Sequence, residues 1–155
     1  MKKYLALIIV SFFTFVSCEK DDICIDGTTP KLIIRFYDND AVTELKKAQL
    51  DSVWVEGKLR IDGFTSVATD SIYIPLDLNA DTTTFILEKN KVKDTLKFSY
   101  IRNDIFVSRS CGYKTIYENF QLDSNTINWI KNINLNESTN STIEDETTAH
   151  ITIFH

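Results

Sequence analysis

Thr95-Leu96-Lys97-Phe98-Ser99-Tyr100-Ile101 sets Leu96, Phe98 and Tyr100 at every second position, with Lys97 and Ser99 turned away between them. Side chains on an extended backbone point alternately to opposite faces, so this stretch reads as a strand with one buried and one solvated side. Just before it, Lys89 to Lys93 has the polar composition of a hairpin connection, and Thr82 to Glu88 is rich in β-branched and apolar residues. Two strands joined by so short a link run antiparallel.

The same period recurs outward in both directions. Leu32, Ile34 and Phe36 share a face in Lys31 to Tyr37, and further strands are predicted at Ser52 to Glu56, Lys58 to Asp62, Ser71 to Leu78, Asp104 to Cys111 and Thr115 to Leu122. Ile127, Trp129, Ile133 and Leu135 alternate with asparagines to predict another, despite the cap-like Asp123-Ser124-Asn125-Thr126, and Ile151 and Ile153 mark the last. Arg102-Asn103-Asp104 reads as a second hairpin connection, Val42 to Leu50 has room for a helical turn or two, and the polar Asn136 to Thr148 is expected to be a flexible loop. About nine short strands, with no helix long enough for a crossover, predict an all-β fold. The expected architecture is an antiparallel two-layer β-sandwich, Ig-like or transthyretin-like in outline, with a small β-barrel as the alternative.

The amino terminus carries an address. Lys2 and Lys3 precede an almost wholly apolar run from Tyr4 to Val16, about 13 residues, which suits a secretory signal peptide and falls short of the roughly 20 residues of a spanning helix. Phe15-Val16-Ser17-Cys18 resembles the lipobox of bacterial lipoproteins, with Phe15 where Leu is usual. Cleavage before Cys18 leaves a thiol that takes diacylglycerol as a thioether, and at about 0.8 kcal/mol per buried CH₂ several acyl chains anchor a protein without a transmembrane helix. Glu19-Lys20-Asp21-Asp22 resembles the export signal of surface lipoproteins in the Bacteroidota, and reads equally as a solvated acidic linker. The expected organisation is a signal peptide at 1–17, an acylated Cys18 and tether at 18–30, and a single β-sandwich domain at 31–155. The expected location is the outer membrane, on its periplasmic or cell-surface face.

Removal of residues 1–17 takes away Lys2 and Lys3 but no acid, leaving 22 acidic against 15 basic residues and a formal charge of −7. Bases dispersed among carboxylates make no phosphate-binding surface, so nucleic acid is not expected as a partner. Gly27, Gly57, Gly63 and Gly112 are too scattered for a phosphate loop, so no nucleotide is expected either. With Cys18 acylated, Cys24 and Cys111 remain as an even pair in an oxidising compartment, and a disulfide between them is expected. Such a bridge closes a loop of about 90 residues, for which the chain-entropy model gives roughly 4 to 5 kcal/mol. Ile105, Val107 and Cys111 fall on one parity, which would put the bridge on the core-facing side.

Groups for chemistry are few. His150 and His155 are the two histidines, both read as solvated, and neither can be paired with a nucleophile from sequence. With the cysteines assigned, too few ligands remain for zinc, and no cofactor is expected. Asp77, Asn79, Asp81, Thr83 and Glu88 match the ligand spacing of an EF-hand loop, but Thr82 stands where the sharp turn requires Gly. A turn at Asn79-Ala80-Asp81 entering a strand is the preferred reading, with Asp77, Asn79 and Asp81, or Asp38-Asn39-Asp40, as weak calcium candidates. Asp51-Ser52-Val53, Asp70-Ser71-Ile72, Asp81-Thr82-Thr83 and Asp94-Thr95-Leu96 resemble an O-glycosylation motif of exported Bacteroidota proteins. The same triplets are what a turn entering a strand looks like, and that reading is preferred.

Cys24 to Pro30, Leu32 to Asp38 (LIIRFYD), Arg102-Asn103-Asp104 and Val107 to Lys114 (VSRSCGYK) together resemble an uncharacterised family of Bacteroidota lipoproteins. That resemblance implies a lipoprotein of similar design and brings no activity or catalytic residue with it. A cysteine in each of two signature stretches agrees with the pairing reasoned above. The leading expectation is a non-enzymatic binding or structural module, held to the membrane by its lipid anchor, with another envelope protein as a partner. A competing class binds glycan or calcium at the cell surface through Trp54 or Tyr73 and the acidic turns. A hydrolase would need Asp, Arg109 and His150 clustered in a deep pocket.

Overall fold

A computed structural model describes Cys24, residues 27–136 and residues 141–155. The expected leader, Cys18 and Glu19-Lys20-Asp21-Asp22 lie outside the described residues. Within them run ten strands: β1 (Leu32–Tyr37), β2 (Ala48–Leu50), β3 (Ser52–Val55), β4 (Val67–Thr69), β5 (Ser71–Ile74), β6 (Thr82–Lys89), β7 (Val92–Ser108), β8 (Gly112–Asn125), β9 (Asn132–Leu135) and β10 (Ile151–Phe154). Two four-stranded sheets, ordered β5-β1-β10-β9 and β3-β6-β7-β8, pack face to face without closing into a barrel. The fold is the expected all-β sandwich.

Alternation builds the core. Leu32, Ile34 and Phe36 of β1, Ile72 and Ile74 of β5, and Ile151 and Ile153 of β10 meet Val53, Phe85, Leu87, Leu96 and Phe98 of the other sheet, all fully buried. Phe98 stacks on Phe120 with ring centroids 4.9 Å apart, and Tyr100 meets Tyr117 edge-on at 5.0 Å. The two sheets are joined at a corner by the ribbon β2-β4. A single residue, Asp51, separates β2 from β3, and Asp70 separates β4 from β5, so each chain segment leaves the ribbon for a different sheet.

The hairpin of β6 and β7 turns on Asn90 and Lys91, both in the left-handed region (φ 51° and 63°), as a two-residue turn that matches strand twist requires. Asn tolerates that conformation, and the Lys91 N–H is tied down by donating to Asp51 Oδ2 at 2.7 Å.

Several local expectations fail for identifiable reasons. Arg102-Asn103-Asp104 is no turn: β7 runs straight through it for 17 residues. The turn-forming residues are satisfied across strands instead, with Asn103 Nδ2 donating to Glu118 Oε1 at 2.9 Å and Thr115 Oγ1 donating to Asp104 at 2.6 Å. Lys58 to Asp62 is a loop folded back on β3, where Lys58 N–H bonds Val55 O and Ile61 N–H bonds Val53 O. Val42 to Leu50 forms a turn and then β2, with no helix. Strand β4 was not expected at all. One pairing is parallel, Ile34 against Ile151 through Tyr37 against Phe154. Strands from opposite ends of the sequence carry no hairpin constraint on their direction.

The expected strand from Ile127 begins only at Asn132. Asp94 accounts for the difference. It lies on the inward parity of β7 with Leu96 and Phe98 and is 0% exposed. One carboxylate oxygen accepts the Thr126 hydroxyl and the Asn128 N–H, both at 2.7 Å. The other accepts the N–H groups of Trp129 at 2.8 Å and Ile130 at 2.9 Å. A strand could not aim three successive N–H groups at one side chain, so the segment is a loop wrapped on the carboxylate. Asp94→Ala leaves those three donors without their acceptor, at about 1–3 kcal/mol each. The expected outcome is a loss of at least about 3 kcal/mol in urea unfolding, with a smaller loss for the isosteric Asp94→Asn.

Candidate functional site

The polar side chains singled out from sequence fall in three places. The first is the acidic turn between β5 and β6. Tyr100, reaching across from β7, donates its hydroxyl to Asp77 O and accepts the Asp77 N–H, each at 3.0 Å. Thr83 Oγ1 lies 2.6 Å from the same hydroxyl. Asp77 Oδ1 accepts the Asn79 N–H, and Oδ2 pairs with Lys58 at 2.5 Å. Lys58, aided by the Asn79 N–H, holds the Asp77 carboxyl below its usual range. Asp81 pairs with Arg102 Nε at 2.7 Å. Glu88, the twelfth position of the calcium spacing, lies near the far end of β6, where it accepts the Ser52 hydroxyl at 3.0 Å. The turn therefore gathers Asp77, Asn79 and Asp81 but not Glu88, and both aspartates face cations of the protein itself. Asp38 is engaged likewise, by the Asp40 N–H and by Lys46 at 3.2 Å. Among the described residues, no three His, Cys, Asp or Glu side chains group to hold a metal ion.

The second place is the pair of histidines, and here the solvated reading is corrected: His150 is 3% and His155 8% exposed. His155 extends the inward parity of Ile151 and Ile153 and sits edge-on to Phe36 and Trp129, with centroids 6.0 and 5.9 Å away. Its Nδ1 lies 2.8 Å from the Lys89 ammonium, which must donate, leaving Nε2–H to face Lys46 O at 3.3 Å. Lys89 also stands 5.1 Å over the Trp129 ring. His150 Nδ1 accepts the Ile33 N–H at 2.9 Å and so ties the start of β10 to β1. Arg109 is exposed in the β7–β8 turn, apart from these bonds. The aromatics differ in the same way: Tyr73 is exposed on β5, whereas Trp54 is half-buried with Arg60 and Lys93 5.8 and 5.3 Å from its ring centre.

The third place is the rim where the amino-terminal segment meets β8. Cys24 and Cys111 are joined, with their sulfurs 1.93 Å apart. The bridge sits in the β7–β8 turn, with Cys24 exposed and Cys111 half-buried, and not among the core residues. Thr29 Oγ1 accepts the Thr115 N–H at 3.0 Å, and Ile143 bonds Tyr117 through both backbone groups, so the outer edge of β8 is covered. Two open clefts of about 230 and 270 Å³ flank Lys114 here, one beside Cys24 and Val107, the other beside Glu144 and Glu146. Both are smaller than the usual 300–1,000 Å³ or so of a small-molecule site.

Residues 42–155 match a family of unknown function, DUF6452. The chain belongs to that family. The match takes in β2 to β10, including Val107 to Lys114, and begins after Cys24 to Pro30 and Leu32 to Asp38. No curated protein and no solved structure matches the chain. In this DUF6452 domain sequence reasoning misread Asp94, taken as the head of a turn-like triplet but buried within β7, and missed Lys89. Asp94 was detectable as a carboxylate on the core-facing parity of an otherwise apolar strand. Lys89 became visible only with the fold, since Trp129 and His155 reach it from distant segments.

Burial pushes both histidines below their ordinary 6.5; for His155 the Lys89 charge acts in the same direction, while Asp145 and Glu146 partly oppose the shift at His150. The native state thus prefers neutral rings, and this stability is complete above pH 6.5. It is lost as the pH falls below that value, where the unfolded chain takes up protons the folded one refuses. The unfolding free energy of the DUF6452 domain, from urea titrations, is expected to fall between pH 7 and 5, by at most about 1.4 kcal/mol per histidine per pH unit. His150→Asn, which keeps an acceptor near the Nδ1 position, flattens that slope; a slope unchanged by it would sink the assignment.

Proposed function

We propose that the mature protein is an acylated envelope lipoprotein of the Bacteroidota type, whose β-sandwich serves as a non-enzymatic binding or structural module. The observation that carries this reading is the Cys24–Cys111 bond. A disulfide belongs to an oxidising compartment, and it leaves Cys18 as the one cysteine available for acylation, next to an apolar leader of the right length. The side chains with catalytic potential support the non-enzymatic half. His150, Asp94, Asp77 and Asp81 are engaged in holding backbone or balancing Lys58 and Arg102, not in converging on a shared space. Loops and edge strands are the surfaces such a sandwich presents to a partner, another envelope protein in this reading.

Fractionation of cells expressing the full chain, followed by mass spectrometry of the purified protein, tests the proposal. The expected product is membrane-bound, begins at Cys18, carries diacylglycerol on that sulfur and has no titratable thiol. A soluble product with its leader uncut and free Cys24 and Cys111 would overturn it.

A further inference from the structure

The β7–β8 hairpin outruns the sandwich. β6 pairs with β7 only as far as Ser99, while β7 and β8 stay paired to Ser108 and Gly112. On this arm Phe106 and Tyr113 lie opposite each other, with ring centroids 5.4 Å apart and planes at 67°. They are 59% and 72% exposed. Single exposed apolar side chains are ordinary on a protein surface, but a paired Phe and Tyr at the end of a projecting arm need a reason. Arg109, in the turn beyond them, is exposed as well.

The tether ends at the same place. Thr29 is bonded to Thr115, and Cys24 to Cys111 in the turn itself, so the chain leaves the domain beside the arm tip. Six residue steps separate Cys24 from Cys18, a reach of about 21 Å at most for extended chain. Resting on the acylation proposed above, we infer that the arm tip contacts the lipid surface, with Phe106 and Tyr113 entering the headgroup region of the leaflet that holds the Cys18 acyl chains. An amphipathic Tyr, a Phe and a flanking Arg are the composition that favours this interface. The alternative occupant is a second copy pairing along the edge of β7 that β6 leaves, past the Tyr100 N–H bonded to Asp81 O. The lipid surface is favoured because the short tether keeps the tip beside it permanently, whereas two copies each carrying a formal −7 repel.

The test is a Phe106→Trp variant of the full chain, purified in acylated form and placed in phosphatidylcholine vesicles with plain or brominated acyl chains. Native Trp54 and Trp129 lie towards the Asn90-Lys91 end, beside Ile86 and Lys89, and serve as the internal control. Most of the added emission is expected to be lost in brominated vesicles, with the native emission unchanged; Tyr113→Trp reports the same from the facing strand. Equal added emission in both vesicles would overturn the inference. So would an indole shielded from bromine in a protein whose copies crosslink through the arm, which would mark the edge as a self-association surface. Mass spectrometry of the same sample separates the two readings. An unmodified Cys18 refutes the anchor, whereas an acylated Cys18 with an unquenched indole refutes the arm contact alone.

Discussion

A carboxylate sits in the core of this protein, and the way the two sheets lock together follows from how it is satisfied. An isolated buried carboxylate costs several kcal/mol, and the position is tenable only because four donors converge on Asp94. Those donors all belong to one short loop, so the residue on β7 dictates the path of the chain from Thr126 to Ile130. That path delivers Trp129 and Ile130 into the core. Trp129 donates its indole N–H to Leu87 O in one sheet and packs against Phe36 and His155 of the other. A single buried side chain thereby sets the contact between layers that apolar packing alone would leave free to slide.

Polar residues do comparable work elsewhere. Asp51 and Asp70 mark the two crossings between ribbon and sheets, Tyr100 pins the β5–β6 turn through its hydroxyl, and His150 links the first strand to the last through one ring nitrogen. Among the described residues no buried side-chain polar atom lacks a partner. Groups so engaged are poor candidates for reacting with a ligand, since each would first have to release a bond whose loss the fold feels.

Much of this architecture could be read from the chain. Leu96, Phe98 and Tyr100 are buried as their spacing demands, and the Asn90-Lys91 turn lies inside the connection inferred from composition. The Cys24–Cys111 pair followed from compartment logic, and its rim location did not, because parity says which side of a strand a residue takes but not whether a second sheet lies opposite. The same blindness put His155 in water: a polar residue after Ile151 and Ile153 continues their inward face, and Lys89 and Lys46 O, one at each ring nitrogen, make its burial tolerable. Arg102-Asn103-Asp104 misled for the converse reason. Turn-forming residues mark a turn only when no cross-strand partner competes, and Glu118 and Thr115 compete here. Interactions between segments far apart in sequence decided each of these cases, and no local pattern encodes them.

Strand β7 carries the contrast between stability and exposure along its own length. From Asp94 to Tyr100 its inward residues face a second sheet and are buried; from Ile101 to Ser108 none is buried, and Ile101 and Phe106 are exposed. The outer half is held by β8 pairing, by polar cross-strand bonds and by the bridge at its tip, with no buried side chain of β7 to add to them. Local opening is therefore cheaper on the arm than in the sandwich. The disulfide acts at the tip of the arm, tying it to the segment before β1. The outer half of β7 is in this way coupled to the segment that leads into β1.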